Sequence, residues 1–340
     1  MEQIFLHEGP LLDEHGNLAE AGYSTSLVKE YDRSKIKAGA LRIKEWDYYY
    51  VGNANFGIAL TIADNSYMAL FSVSFLDLAN NKSYTRSFMK LFTKGKTKLP
   101  STSDTGSVKV EGNGYLLDFQ NNGETRTIQC GISNLSQNKS FECNFTLTKT
   151  NPYSMVIATP FDKKQHFYYN QKINCLKAKG SCIFDGMEYS LDDCYGVLDW
   201  GRGVWTYKNT WYWSSASGIV NDKPFGFNLG YGFGNTEKAS ENMLFVGEKY
   251  YKLNDVTFEI PVNADGKEDY LKPWRFTSSD GAIDLYFDPV HDRYAKMDLL
   301  VLKSIQHQVF GLFSGTFIVG EQIFEIKDLP GFAEKVRNNW

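Results

Sequence analysis

Short runs of apolar, β-branched and aromatic residues recur along nearly the whole chain, each closed by Gly, Asn or Asp, and they leave little room for anything but sheet. From residue 41 the runs "LRIKEWDYYYVGN", "FGIALTIAD" and "YMALFSVSFLDL" follow one another with the loop text "NANFG" and "ADNSY" between them, as in an antiparallel meander. Further on, "SVKVEGNGYLLDFQNNGETRTIQC" reads as three strands joined by Gly-Asn-Gly and Asn-Asn-Gly turns, a strong hairpin signal. The second half repeats the style in "KYYKLNDVTFEI", "WRFTSSDGAIDLYFDPV" and "KMDLLVLKSIQHQVFGLFSGTFIVGEQIFEIKDL". In "AIDLYF", Ile283, Leu285 and Phe287 alternate with Asp284 and Tyr286, the mark of a half-buried strand. Only "TSLVKEYDRSKI" and the terminal "PGFAEKVRNNW" read as helices, and both are short. The expected fold class is all-β, in two successive antiparallel sheet systems with short terminal helices. At 340 residues the chain passes the roughly 250–300 residues at which single cores stop growing. The joint is placed just before Asp199, dividing the chain into domains 1–196 and 197–340.

Composition excludes several function classes. The net charge is −4 and no basic block occurs, so phosphate-driven nucleic-acid binding has no electrostatic support. No apolar run approaches the roughly 20 residues of a membrane span, and "MEQIFLHEGPLL" has no signal-peptide pattern. A cytoplasmic protein without a transmembrane segment is expected. Cys130, Cys143, Cys175, Cys182 and Cys194 form an odd set without a CxxC pair and read as reduced structural thiols. His7, His15, His166, His291 and His307 are scattered, so no metal site is expected. No Gly-x-Gly-x-x-Gly precedes a helix and no Gly-x-Ser-x-Gly elbow occurs. No cofactor is therefore expected. The oligomeric state is left open.

Three stretches carry the chemistry. "DWGRGVWTYKNTWYWSSASG", residues 199–218, places four of the seven tryptophans within fourteen positions. Gly201 and Gly203 flank Arg202, which suggests a bend fixing that side chain. Trp211 and Trp213 share one face of a strand, with Ser215 and Ser217 continuing it. Trp200 and Trp205 stand beside the acid. The stretch is either a folding nucleus pinned by an Asp199–Arg202 pair or a ligand site in which the tryptophans raise the Asp199 pKa by desolvation. In "KEWDYYYV", residues 44–51, Lys44, Trp46, Tyr48 and Tyr50 face one side, while Glu45, Asp47 and Tyr49 face the other. The second set is either solvated or lines a cavity. "FNLGYGFGNTEKASENMLF", residues 227–245, contains Gly230, Gly232 and Gly234, which mark a bend or a close backbone approach, and the polar Asn228, Glu241 and Asn242. "KPWRF" adds Trp274 and Arg275, a cation–π or anion-binding pair.

In this order, "RIKEWDYYYV", "DWGRGVWTYKNTWYWSSASG", "FNLGYGFG", "SENMLF", "PWRF" and "VFGLFSGTF" resemble the DUF2804 family, over a span running from "GPLLD" at residue 9 to "GFAE" at residue 331. That family is similar, at greater distance, to the carotenoid 1,2-hydratase, tocopherol cyclase and lipocalin-like Diels–Alderase group. The resemblance implies two tandem lipocalin-like (calycin-type) β-barrels with pockets for hydrophobic small molecules. It also implies Asp199, beside Trp200, as an acid that protonates an alkene, although Gly-Arg-Gly follows here and no histidine does.

Three functions fit these residues. The first is a cofactor-independent enzyme of hydratase, cyclase, isomerase or lyase type. In it Asp199, Glu45 and Asp47 are the candidate catalytic groups, and Tyr49, Trp200, Arg202, Trp205, Trp211, Trp213, Asn228, Glu241, Asn242, Trp274 and Arg275 bind a small-molecule substrate. The second is a lipocalin-like binder without turnover. The third is a carbohydrate-active enzyme pairing Asp199 with Glu45 or Glu241. The first reading requires that Glu45, Asp47 or Tyr49 reach the same cavity as Asp199, and that Arg202 turn away from Asp199 toward a ligand or another carboxylate such as Glu241.

Overall fold

The alternating runs become two large antiparallel sheets in the computed structural model, which describes residues 3–299 and 302–339. The first sheet has 13 strands. Its central path runs from the edge strand Lys82–Leu91 through Met68–Asp77, Phe56–Asp64 and Ile43–Gly52 to Tyr195–Val204, then Phe167–Phe184, Lys139–Lys149 and Thr125–Ser136. The second has nine strands, centred on Lys208–Val220, Gln322–Asn339, Leu302–Val319 and Ile283–Leu299. Both sheets curl around their own apolar cores. Leu60, Ile62, Phe75 and Trp200 belong to the first core, and Phe227, Trp274, Phe287 and Phe313 to the second. This is the architecture of two tandem lipocalin-like barrels.

The expected terminal helices are corrected. Near the N-terminus only two 3-10 turns form, Arg33–Lys35 and Ala40–Arg42. The tail "PGFAEKVRNN" is the end of an 18-residue strand, Gln322–Asn339. It is laddered on one side to the 208–220 strand and on the other to 302–319. Two ladders of inter-strand hydrogen bonds override the helical preference of Ala, Glu, Lys and Arg, since tertiary pairing outweighs local propensity. The division expected after residue 196 falls just inside the Tyr195–Val204 strand, which pairs within the first sheet. The change of sheet comes at residues 205–207, so the tryptophan-rich stretch serves both sheets.

Three neighbouring strands of the first sheet, 43–52, 195–204 and the 167–176 part of 167–184, are buried on both faces. The inner face looks into the first barrel. The outer face packs on the second sheet through Tyr48, Tyr50, Val197, Trp213, Phe310 and Phe332 on one flank, and through Met155, Tyr168, Trp205, Phe233 and Phe245 on the other. Strand alternation therefore sorts buried charged side chains, Glu45, Asp47 and Arg202 on one face and Lys172 and Asp199 on the other, into two dry compartments.

Inside the barrel, Arg202 is fully buried and donates to Asp47 Oδ1 at 3.0 Å, to the carbonyls of Trp46 and Pro100 at 2.7 Å, and to that of Gly201 at 2.8 Å. Its guanidinium also lies 4.2 Å from the Trp200 ring centre. Glu45, beside it, accepts from Tyr31 at 2.8 Å and Arg33 at 2.5 Å, which ties the N-terminal segment to the barrel. Gly201 and Gly203 do not form the bend expected around Arg202, because both lie within a regular ladder. Gly201 supplies space instead: a Cβ there would stand 1.9 Å from the Trp46 indole.

Two outcomes test this arrangement. Gly201→Ala forces the Trp46 ring off the sheet, and denaturant unfolding should show a loss of about 1–3 kcal/mol. Arg202→Met leaves the buried Asp47 without its partner and should cost about 3–5 kcal/mol. A surface-like loss under 1 kcal/mol in the same unfolding measurement would contradict the buried pairing.

Candidate functional site

Between the two sheets the outer faces do not close completely, and a cavity of about 350 Å³ remains. The first sheet contributes Trp46 and Tyr48, Tyr168 and Lys172, and Asp199. Tyr48, Asp199 and Lys172 lie directly opposite one another on three adjacent strands. The second sheet contributes Trp211 and Trp213 from one strand and Glu334 from its neighbour. Trp205, in the crossing between sheets, closes one wall with Phe233. Glu241 comes from the loop between strands Lys223–Tyr231 and Met243–Val246.

Lys172 is the charge at the centre. Its ammonium is 2.9 Å from Asp199 Oδ1 and 3.8 Å from the centre of the Trp213 ring. Asn170 donates to the same Asp199 oxygen at 2.6 Å and to the Trp200 carbonyl at 2.9 Å. Asp199 is thus held by an ammonium and an amide, and Arg202 is on the opposite face of its strand.

Glu334 accepts from the Trp211 indole at 2.9 Å, from Gln306 at 3.1 Å and from Gln308 at 3.0 Å. Burial nevertheless pushes its pKa upward against those donors. Gln308 in turn accepts from Arg293 at 2.5 Å and from the Tyr48 hydroxyl at 3.3 Å.

Glu241 is a strongly perturbed acid of the cavity. Burial drives its pKa from the ordinary 4.5 up to about 7; Lys172 opposes the rise and the Asp199 charge adds to it. Its carboxylate lies against Gly230, where a Cβ would come within 2.7 Å of Oε1. Asn228 accepts the Trp213 indole N–H at 2.7 Å and donates to the Glu241 carbonyl at 2.6 Å. Asn242 accepts the Gly230 N–H at 2.7 Å and donates to the Asn254 carbonyl at 2.9 Å. These two asparagines fix the loop that carries Glu241. Among the described residues no three His, Cys, Asp or Glu side chains converge as metal ligands.

The residues singled out from sequence separate into four groups. Asp199, Trp205, Trp211, Trp213 and Glu241 line the cavity together. Asn228 and Asn242 stand behind it as braces. Glu45, Asp47, Tyr49, Trp200 and Arg202 occupy the inner face of the same sheet, so the expectation that Glu45, Asp47 or Tyr49 reaches Asp199's cavity is corrected. Period-2 alternation puts Trp46 and Tyr48 there instead. Arg202 does turn away from Asp199, but its carboxylate is Asp47 rather than Glu241. Trp274 is buried in the second core with its N–H on the Tyr270 carbonyl, and Arg275 forms an exposed pair with Asp284. Neither lines the cavity.

Sequence reasoning missed Tyr168, Lys172 and Glu334. Lys172 was legible as the one cation within the aromatic stretch "FYYNQKINC" that opens its strand. Glu334 was hidden by the helical reading of its segment.

A protein of two curled lipocalin-like sheets with an aromatic, acid-bearing cavity between them is the class that fold and site define. The chain belongs to the DUF2804 family, a domain of unknown function, which it matches over residues 2–340. Comparison with curated proteins gives no significant match. Among solved structures, kievitone hydratase from Nectria haematococca has a TM-score of 0.52 at 12% identity, covering 99% of this chain and 98% of that one. An AttH-like protein from Nitrosomonas europaea has a TM-score of 0.50 at 13% identity, covering 86% and 92%. At these identities the likeness establishes the shared fold. Among the described residues no helix is long and apolar enough to cross a membrane.

The Glu241 environment has a measurable consequence. A carboxyl whose folded pKa is above its unfolded value holds its proton more tightly when folded, so stability is lost as pH rises from 4.5 to about 7. Glu241→Gln removes that loss. Relative to wild type, the variant should gain about 3 kcal/mol of stability between pH 4.5 and pH 8. Denaturant unfolding across this range checks it, and a pH-independent difference would contradict the buried acid.

Proposed function

We propose that the protein is a small-molecule enzyme that works by general acid–base catalysis in the inter-sheet cavity, adding or removing water or shifting a double bond. The observation that carries this reading is Glu241: a buried carboxyl with a pKa near 7, facing the Lys172–Asp199 pair inside a tryptophan-walled cavity. An acid poised at the working pH is what protonation of an alkene or enol requires. The role expected for Asp199 passes to Glu241. Its proton goes to the substrate carbon, and the alkene π pair forms the new C–H bond. The adjacent carbon, now cationic, faces the rings of Trp46, Trp205 and Trp211, where cation–π attraction contributes about 0.5–2 kcal/mol per ring. Water adds to that carbon, and Asp199 takes the water's proton. Once the proton gained by Asp199 has returned to Glu241 through solvent, the sum is addition of H2O, and the reverse sequence is dehydration.

Such a reaction balances without an oxidant or reductant, in keeping with a cofactor-independent enzyme. Kievitone hydratase, of the same fold, bears the name of this reaction class. Five buried, unpaired thiols suit a reducing cytoplasm.

Incubation of the protein with a panel of cyclic alkenes and phenolic alkenes in D2O tests the reading. Mass spectrometry should find products that gained D2O, or deuterium alone for a double-bond shift. Glu241→Gln should lower kcat by about 10²–10⁴-fold with KM changed far less, and wild-type kcat should fall as pH rises through about 7. Binding without turnover across the panel would favour a carrier. Full activity in Glu241→Gln would remove the proposed acid.

A further inference from the structure

The cavity is not uniform along its length, and the change in its lining carries information about what it holds. On the second sheet, the strand that presents Glu334 next presents Val336 and then Asn338 to the cavity. Four residues of strand separate Glu334 from Asn338, about 13 Å at roughly 3.3 Å per residue. On the first sheet, the ladder row that begins Lys172, Asp199 and Tyr48 continues directly as Thr61, Ser72 and Ser87. Both walls thus pass from charged groups to neutral hydroxyls and amides.

Asn338 is the sharpest feature of that neutral region. It lines the cavity, is 3% exposed, and neither its Oδ1 nor its Nδ2 has a hydrogen-bond partner. Ser304, directly across the ladder from it, also lines the cavity. A buried amide with both atoms unpaired is costly unless something else satisfies it. The broad χ2 torsion of asparagine lets it turn either a donor or an acceptor to a ligand.

The charged groups define what would not be welcome. The cations of the lining are Lys172 and Arg293. Lys172 is engaged by Asp199 and Trp213, and Arg293 donates to Ser74 and Gln308. An anionic ligand would meet three carboxyl groups with both cations committed. A cationic ligand would find Asp199 and Glu334 already holding their donors and Glu241 held toward its neutral form by burial, with Lys172 in the same lining.

We infer that the cavity takes an uncharged, ring-containing molecule whose hydroxyl or carbonyl group is read by Asn338 while its apolar rings lie among the tryptophans. This deepens the proposed function by naming the substrate class, and it rests on that reading for the cavity's being the substrate site. Asn338 is then a specificity residue at the end remote from Glu334.

Equilibrium dialysis at pH 7 with four probes on one ring system tests it: naphthalene, 2-naphthol, naphthalene-2-carboxylate and 2-naphthylmethylammonium. 2-Naphthol should bind at least about tenfold more tightly than either charged probe, and about fivefold more tightly than naphthalene. Asn338→Leu should abolish the preference for 2-naphthol over naphthalene while leaving naphthalene binding nearly unchanged. The inference is overturned if either charged probe binds as well as 2-naphthol, if 2-naphthol shows no saturable binding, or if folded Asn338→Leu keeps the preference. Should that variant not fold, the wild-type order across the charged probes decides alone. Turnover is not required at any step. Loss of the Glu241 role in the D2O assay would therefore defeat the catalytic reading without moving the probe order.

Discussion

Strands buried on both faces can hold charge only where each charge finds a partner, and this governs the middle of the molecule. The 43–52 and 195–204 strands and residues 167–176 are covered inside by their own barrel and outside by the second sheet. The alternation of the backbone sends neighbouring residues in opposite directions, so the inner compartment receives Arg202 with Asp47 while the outer receives Lys172 with Asp199. The two pairs differ in what surrounds them. Arg202 has four hydrogen-bond acceptors and an indole against its plane, a closed arrangement that clamps the barrel. Lys172 has one carboxylate and one ring, and a cavity beside it.

Cavity and clamp depend on each other through Gly201 and the tryptophans. With no side chain at 201, the Trp46 ring lies on the 195–204 strand, stacked near Tyr168 and edge-on to Trp205. Trp205 and Trp211 continue the wall to Phe233. These rings desolvate the carboxyls, and desolvation is what sets Glu241 and Glu334 apart from surface acids. The braces at Asn228 and Asn242 then hold Glu241 in place by its backbone, leaving its carboxyl to face Lys172.

Much of the fold was legible in local text. The Asn-Gly turns and the alternating runs are where hairpins form, and the two faces of "KEWDYYYV" divide as their alternation requires. Alternation alone cannot say which face meets a ligand. Glu45 and Asp47 looked like the chemical face because they are charged, yet they serve as interior pairs. The aromatic face of the same strand lines the cavity. The tail was misread because Ala, Glu, Lys and Arg are good helix formers, and its pairing with the distant 208–220 strand on one side and 302–319 on the other leaves no mark in its own text.

The sequence by itself determined the all-β class, the tryptophan concentration at the junction, and the sharing of one face by Trp211 and Trp213, since these follow from side-chain type and a period of two. It also placed Asp199 among aromatic rings. The partnership of Asp199 with Lys172 rather than Arg202, the convergence of Glu241 and Glu334 on that pair, and the unpaired Asn338 were decided only by the tertiary structure. The first two join residues as near as 172 and 199 and as far as 172 and 334 in the chain, through sheet register and the docking of one sheet on another. Burial, the cause of the Glu241 shift, is a property of that docking and has no local signature in the chain.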